Sequence, residues 1–172
     1  WGYSNGEIAG DGHTAAFRER QALLLSRQIL SQWALDVPVT TWFNLVDSGT
    51  GGTMAEHNFG LLDAQYAEKP ALTALRTVTS TAQERSYKGL VSDTPPGLHI
   101  MRLEDQTRIV FIAWNSDANS SIALHVPTAE IASTTNFLGA PVAGAASAKG
   151  TEYRAHTLTE SSGPIYLTYL KP

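Results

Sequence analysis

The sequence contains no cysteine, so it offers no disulfide framework, no thiolate nucleophile and no thiolate metal site. No apolar run approaches the roughly 20 residues that a helix needs to cross a bilayer, so no membrane is expected among its partners. Basic charge is also scarce: 12 Lys and Arg stand against 16 Asp and Glu, for a net charge of −4. Nucleic acid, which selects a concentrated basic face, is not an expected partner either. His13, His57, His99, His125 and His156 show neither HxH nor HExxH spacing, so no metal is expected, and no motif calls for a cofactor. The glycine run Gly49–Gly52 lacks the lysine and the strand-to-helix setting of a phosphate loop, and it reads as a mobile connection.

What is present is a core-forming composition. Hydrophobic residues make up 42% and charged residues 16% of 172, enough for one ordinary domain or two small ones. The chain opens on Trp1-Gly2-Tyr3-Ser4, which has the texture of a buried strand end. With no initiator Met and no signal segment before it, the chain is expected to be a fragment, a processed chain or a trimmed one. After a Gly-rich loop, Thr14 is placed to cap a helix running to about Leu35, with Ala22, Leu25, Ile29, Leu30 and Trp33 on one arc. Arg20, Arg27, Gln28 and Ser31 fall on the other side. Asp36 and Pro38 end it.

Val37 to Asp47 alternates. Val39, Thr41, Phe43 and Leu45 form one set, while Thr40, Trp42 and Asn44 form the other. This suits a barrel strand packing outward on helices and pointing inward at a site, and it equally suits a half-exposed sheet strand. The long loop that follows carries Glu56 and His57, and Pro70 sits where a second helix would begin, with Leu72, Leu75 and Val78 at helical spacing. From Ser86 the texture changes to seven short alternating runs separated by turn residues, which predicts a small antiparallel sandwich. The fold class expected is therefore α/β plus all-β, with domains at 1–85 and 86–172.

The order WGYS, QALLLSR, VPVTTWFNLVD, EHNFGLL, KPALTAL and an all-β tail resembles the C-terminal part of clan A retaining glycoside hydrolases, of cellulase or β-xylosidase type in the manner of families 5 and 39. The resemblance implies that residues 1–85 are the last βα units of a (β/α)8 TIM barrel and 86–172 a β-sandwich. It makes Trp1 and Tyr3 the end of the seventh barrel strand, Trp42 a sugar-stacking floor at the end of the eighth, and Asn44 and Asp47 lining of the same mouth. Glu56 and His57 then belong to the adjoining loop. In such enzymes the nucleophilic glutamate stands just before a Trp-Gly pair and the acid/base glutamate further upstream, so no catalytic residue is assigned within this chain.

The implied partner is an oligosaccharide or polysaccharide, and the implied location is secreted or periplasmic in a bacterium. A lone barrel strand exposes two edges and an apolar face, so association with a copy of the chain or with an N-terminal barrel fragment is expected. The alternative is a stand-alone, non-catalytic carbohydrate-binding or structural module.

Overall fold

The structure, a computed structural model, describes residues 13–171. Trp1 and Tyr3 lie outside the described residues. The chain divides into two compact units, one ending at Val78 and the other beginning at Thr79.

In the first unit, helix α1 spans Ala15–Ala34, and the Thr14 hydroxyl accepts from the Phe17 N–H at 3.5 Å, as an N-cap does. Its buried residues are Gln21, Ala22, Leu23, Leu25, Ser26 and Leu30, so the apolar arc is joined by two polar side chains. Ser26 satisfies itself on the Ala22 carbonyl at 3.0 Å. Gln21 has a long-range partner, described below. The chain leaves the helix through Asp36, whose φ of 56° lies in the left-handed region.

The strand expected over Val37–Asp47 is not a regular strand. One isolated bridge, Val46 with Leu62, is its whole ladder among the described residues. A strand needs a partner along its length, and here the partner is a loop running back over residues 58–62, which meets the segment only from Asn44 onward. The alternation persists as exposure, but with the apolar set outside. Val39 is 75% exposed and Phe43 and Leu45 are 60% exposed, whereas Trp42, Asn44 and Val46 are half-buried.

Helix α2 spans Pro70–Ala82 and begins on proline, whose missing N–H has no helical partner to lose at that position. Its buried positions are Ala71, Ala74 and Val78, with Leu72 and Leu75 half-buried. The expected stripe is thus displaced by one residue toward small side chains, which let a helix approach its neighbours closely. Arg85 donates to the carbonyl of Thr81 at 2.7 Å and so closes the helix end.

The second unit is antiparallel β. Its strands are β1 (Ser86–Leu90), β2 (Leu98–Glu104), β3 (Arg108–Asn115), β4 (Ile122–Pro127), β5 (Ile131–Asn136), β6 (Ala145–Ala146), β7 (Tyr153–Leu158) and β8 (Ile165–Leu170). They form a five-stranded sheet, β1-β2-β3-β8-β5, and a three-stranded sheet, β4-β7-β6. Leu98, Ala113, Ile165 and Leu167 of the first sheet share one apolar cluster with Val126 and Leu158 of the second. Met101, Leu103, Val110, Ile112 and Tyr166, at the alternate positions of the large sheet, are buried as well. That is why β3 reads IVFIAW, a nearly continuous apolar run, where a one-sided strand would alternate.

The turns follow their chemistry. Between β2 and β3 the Asp105 carboxylate accepts from the N–H groups of Thr107 and Arg108 at 2.8 and 2.7 Å. Those backbone bonds, the Thr107 one foremost, hold its carboxyl below the usual range.

Candidate functional site

The backbone of residues 44–47 is laced to residues 59–62. The Asn44 N–H donates to Phe59 O at 3.2 Å, Leu61 N–H to Leu45 O at 3.0 Å, and Asp47 N–H to Leu62 O at 2.9 Å. Gly60 stands at this crossing. A Cβ there would lie 2.3 Å from the Asp47 nitrogen and 2.4 Å from the Leu62 oxygen, so no larger residue fits without parting the two segments.

Beneath the crossing lies a buried polar cluster. Lys69, with its side chain wholly buried, donates to both Asp47 carboxylate oxygens at 3.0 and 3.2 Å and to the Asn58 carbonyl at 3.1 Å. The Gly60 N–H gives Asp47 a further bond at 2.6 Å, and the Gln21 amide, from α1, donates to the same Asn58 carbonyl at 3.1 Å. Burial pulls the Lys69 ammonium below its ordinary pKa, and the hydrogen bond and charge of Asp47 oppose that pull. Asp47 is therefore committed to an internal ion pair.

The other residues singled out from the sequence fall around this cluster. Trp42 is half-buried and its indole N–H donates to Phe59 O at 3.1 Å. Phe43 packs edge-on against Phe59, ring centres 5.9 Å apart, and the Phe43–Asn44 peptide is cis. The Asn44 side chain turns back to accept from the Leu45 N–H at 2.7 Å.

Glu56 is exposed in a 3-10 turn, Ala55–His57, and its carbonyl accepts from the Ser48 hydroxyl. The His57 Nδ1 accepts from the Gly51 N–H at 3.1 Å, which puts the proton of the neutral ring on Nε2. Asn58 is fully buried, and its amide donates to the carbonyls of Met54 at 2.7 Å and Gly51 at 2.9 Å. The glycine loop is thus tied down by His57 and Asn58, where mobility was expected.

Asp63 serves its own turn, accepting from the N–H groups of Gln65 and Ala67, with Arg18 3.7 Å away. Gln21, Asn58, Gly60 and Lys69 were not singled out from the sequence. The one signal available was a lysine directly before the proline that starts α2, a polar residue where the chain turns inward.

Chemically, the segment offers a half-buried indole at Trp42 and a neutral imidazole at His57, each anchored by a hydrogen bond to backbone. Among the described residues no group of three or more His, Asp or Glu is arranged to hold a metal ion.

No family model and no curated protein matches the chain. Solved structures do. A family 39 glycoside hydrolase from the gut symbiont Bacteroides cellulosilyticus WH2 superposes with a TM-score of 0.69 at 20% identity, over 90% of this chain and 31% of that one. A GH30 endoxylanase from Clostridium papyrosolvens C71 gives 0.55 at 8% identity, covering 89% and 39%. The family 30 subfamily 8 xylanase Xyn30A from Clostridium acetobutylicum gives 0.53 at 9%, covering 88% and 39%. The likeness is one of fold. The chain spans between about a third and two-fifths of these glycoside hydrolases.

Proposed function

We propose that this chain is the C-terminal portion of a retaining glycoside hydrolase acting on a β-linked polysaccharide or oligosaccharide. In this reading residues 1–85 are the last βα units of a TIM barrel and 86–172 an accessory β-sandwich. The observation that carries it is the superposition over 90% of this chain onto 31% of a family 39 glycoside hydrolase. Trp42, with Asn44, Glu56 and His57, and with Trp1 and Tyr3, then forms part of the sugar-binding floor. Asp47, assigned to that floor from the sequence, supports it from behind.

Retaining hydrolysis uses two carboxyl groups about 5–5.5 Å apart, one attacking the anomeric carbon and one protonating the leaving oxygen. In this region Asp47 is neutralised by Lys69 and Asp63 holds a turn. The reading therefore puts both catalytic glutamates upstream of Trp1. The exposed row of Leu35, Val37, Val39, Phe43 and Leu45 supports the same view, because such a surface is what neighbouring barrel units would cover. Association with an N-terminal barrel segment, or with a second copy of the chain, and export from a bacterial cell belong to the proposal.

The test is titration with xylotetraose and cellotetraose, followed calorimetrically. Saturable binding to either, reduced tenfold or more by Trp42→Ala with the fold intact, is the expected result. Wild-type protein that binds neither sugar overturns the reading, as does an unchanged affinity in Trp42→Ala.

A further inference from the structure

The buried cluster connects, bond by bond, to both Trp42 and His57. Lys69 Nζ holds the Asn58 carbonyl, and the Lys69 backbone N–H donates to Leu61 O at 3.0 Å. Residues 58–61 are thereby pinned from two points of one residue. From that segment one connection runs through Phe59 O to the Trp42 indole N–H, and another through the Asn58 amide to the carbonyls of Gly51 and Met54. Gly51 in turn donates to His57 Nδ1. Asp47 closes the circuit, accepting from Lys69 on both carboxylate oxygens and from the Gly60 N–H on Oδ1.

We propose that Lys69 is a positioning residue for ligand binding, setting the Trp42 ring and the His57 tautomer through Asn58 and Phe59 without touching the ligand. This rests on the carbohydrate reading above for the identity of the ligand, though not for the positioning itself. A lysine kept only for stability would be a poor choice here, since an ammonium with no solvent exposure requires desolvation that an apolar side chain avoids. What the ammonium supplies, and a methyl group cannot, is a set of directed bonds to a carboxylate and a carbonyl at once.

The experiment compares the wild type with the double variant Asp47→Asn/Lys69→Met, which removes both charges together and nearly preserves volume. Hydrogen exchange of the Trp42 indole N–H and the Gly51 amide is followed by NMR, with the indole resonance assigned through Trp42→Phe. In the double variant both are expected to exchange about tenfold faster or more, the loss of one net hydrogen bond, while α1 amides keep their protection. Xylotetraose affinity is expected to fall by a similar factor. Unchanged exchange at both positions overturns the proposal, and so does a uniform rise across the whole unit, which marks lost stability alone. Should the double variant not fold, native-state exchange of the wild type in low urea decides instead: the Trp42 indole, Gly51 and Lys69 N–H groups opening together, below the α1 amides, supports the proposal, and opening at unrelated free energies refutes it. A wild type that binds no sugar refutes the carbohydrate reading and leaves the exchange result to decide the positioning role.

Discussion

Asp47 and Lys69 should behave very differently when changed singly and when changed together. Their charged atoms are 3.0 Å apart with side chains 1% and 0% exposed. At that distance, with an effective dielectric constant of about 20, the attraction is roughly 5–6 kcal/mol. Desolvation takes back several kcal/mol per ion. The two effects oppose each other: burial pulls the Lys69 ammonium below its ordinary pKa, and the hydrogen bond and charge of Asp47 raise it again. As a whole the pair is therefore worth little, while either charge left alone in that site is expensive. Lys69→Met and Asp47→Asn should each destabilise the first unit by about 3–5 kcal/mol, and the double variant by about 1 kcal/mol or less. For a chain of this size that is a fall of roughly 6–20 °C for each single variant against a few degrees for the double. Urea unfolding followed by amide signals from α1 isolates the relevant unit. Two single costs below about 1 kcal/mol, or costs that simply add, would refute the reasoning.

Two predictions concern the second unit. The Tyr166 hydroxyl is buried with no hydrogen-bond partner among the described residues, so Tyr166→Phe should leave stability unchanged or raise it by about 1 kcal/mol, read as the denaturant midpoint; a loss larger than about 1 kcal/mol would refute this. His156 is buried on β7 and its pKa is held below 6.5 by desolvation, so its contribution is complete above pH 6.5 and lost as pH falls through the folded value. Melting curves between pH 7 and 5 should fall less steeply for His156→Gln; parallel slopes would remove His156 as the cause.

The periodic parts of the fold were legible from residues alone. Thr14 as cap, Pro70 as first residue of α2 and the strands after Ser86 all follow from short-range rules; the cap, the proline and six of the seven runs are found within a residue or so of where those rules put them, while the fifth, expected over Thr134–Leu138, lies at Ile131–Asn136. The two-residue β6 escaped, because Ala145–Ala146 in a stretch of small residues has no alternation to detect. The segment 37–47 escaped for a different reason: whether an alternating run becomes a strand depends on the neighbour it pairs with, which its own residues do not record. The site divides the same way. Aromatic and polar residues close together in sequence drew attention to Trp42, Glu56 and His57, but the cluster that holds them joins Gln21, Asp47, Asn58 and Lys69 across gaps of up to 37 residues. No local pattern announces such a meeting. Asp47 shows the consequence most clearly, since a carboxylate beside a loop reads as a site residue until its lysine is placed.

The two faces of residues 37–47 make one argument when taken together. One set of side chains, Val39, Phe43 and Leu45, is apolar and exposed; beneath the other set lies a fully bonded buried charge pair. A segment that had merely drifted into an extended shape would have neither. A run of exposed apolar groups is what an interface with further protein leaves uncovered, and a desolvated ion pair fixes geometry through directed bonds that apolar packing lacks. The first condition asks for further protein on the outer side and the second for a demanding contact on the side of Trp42. The proposed reading, in which the segment is one wall of a glycosidase barrel, accounts for both.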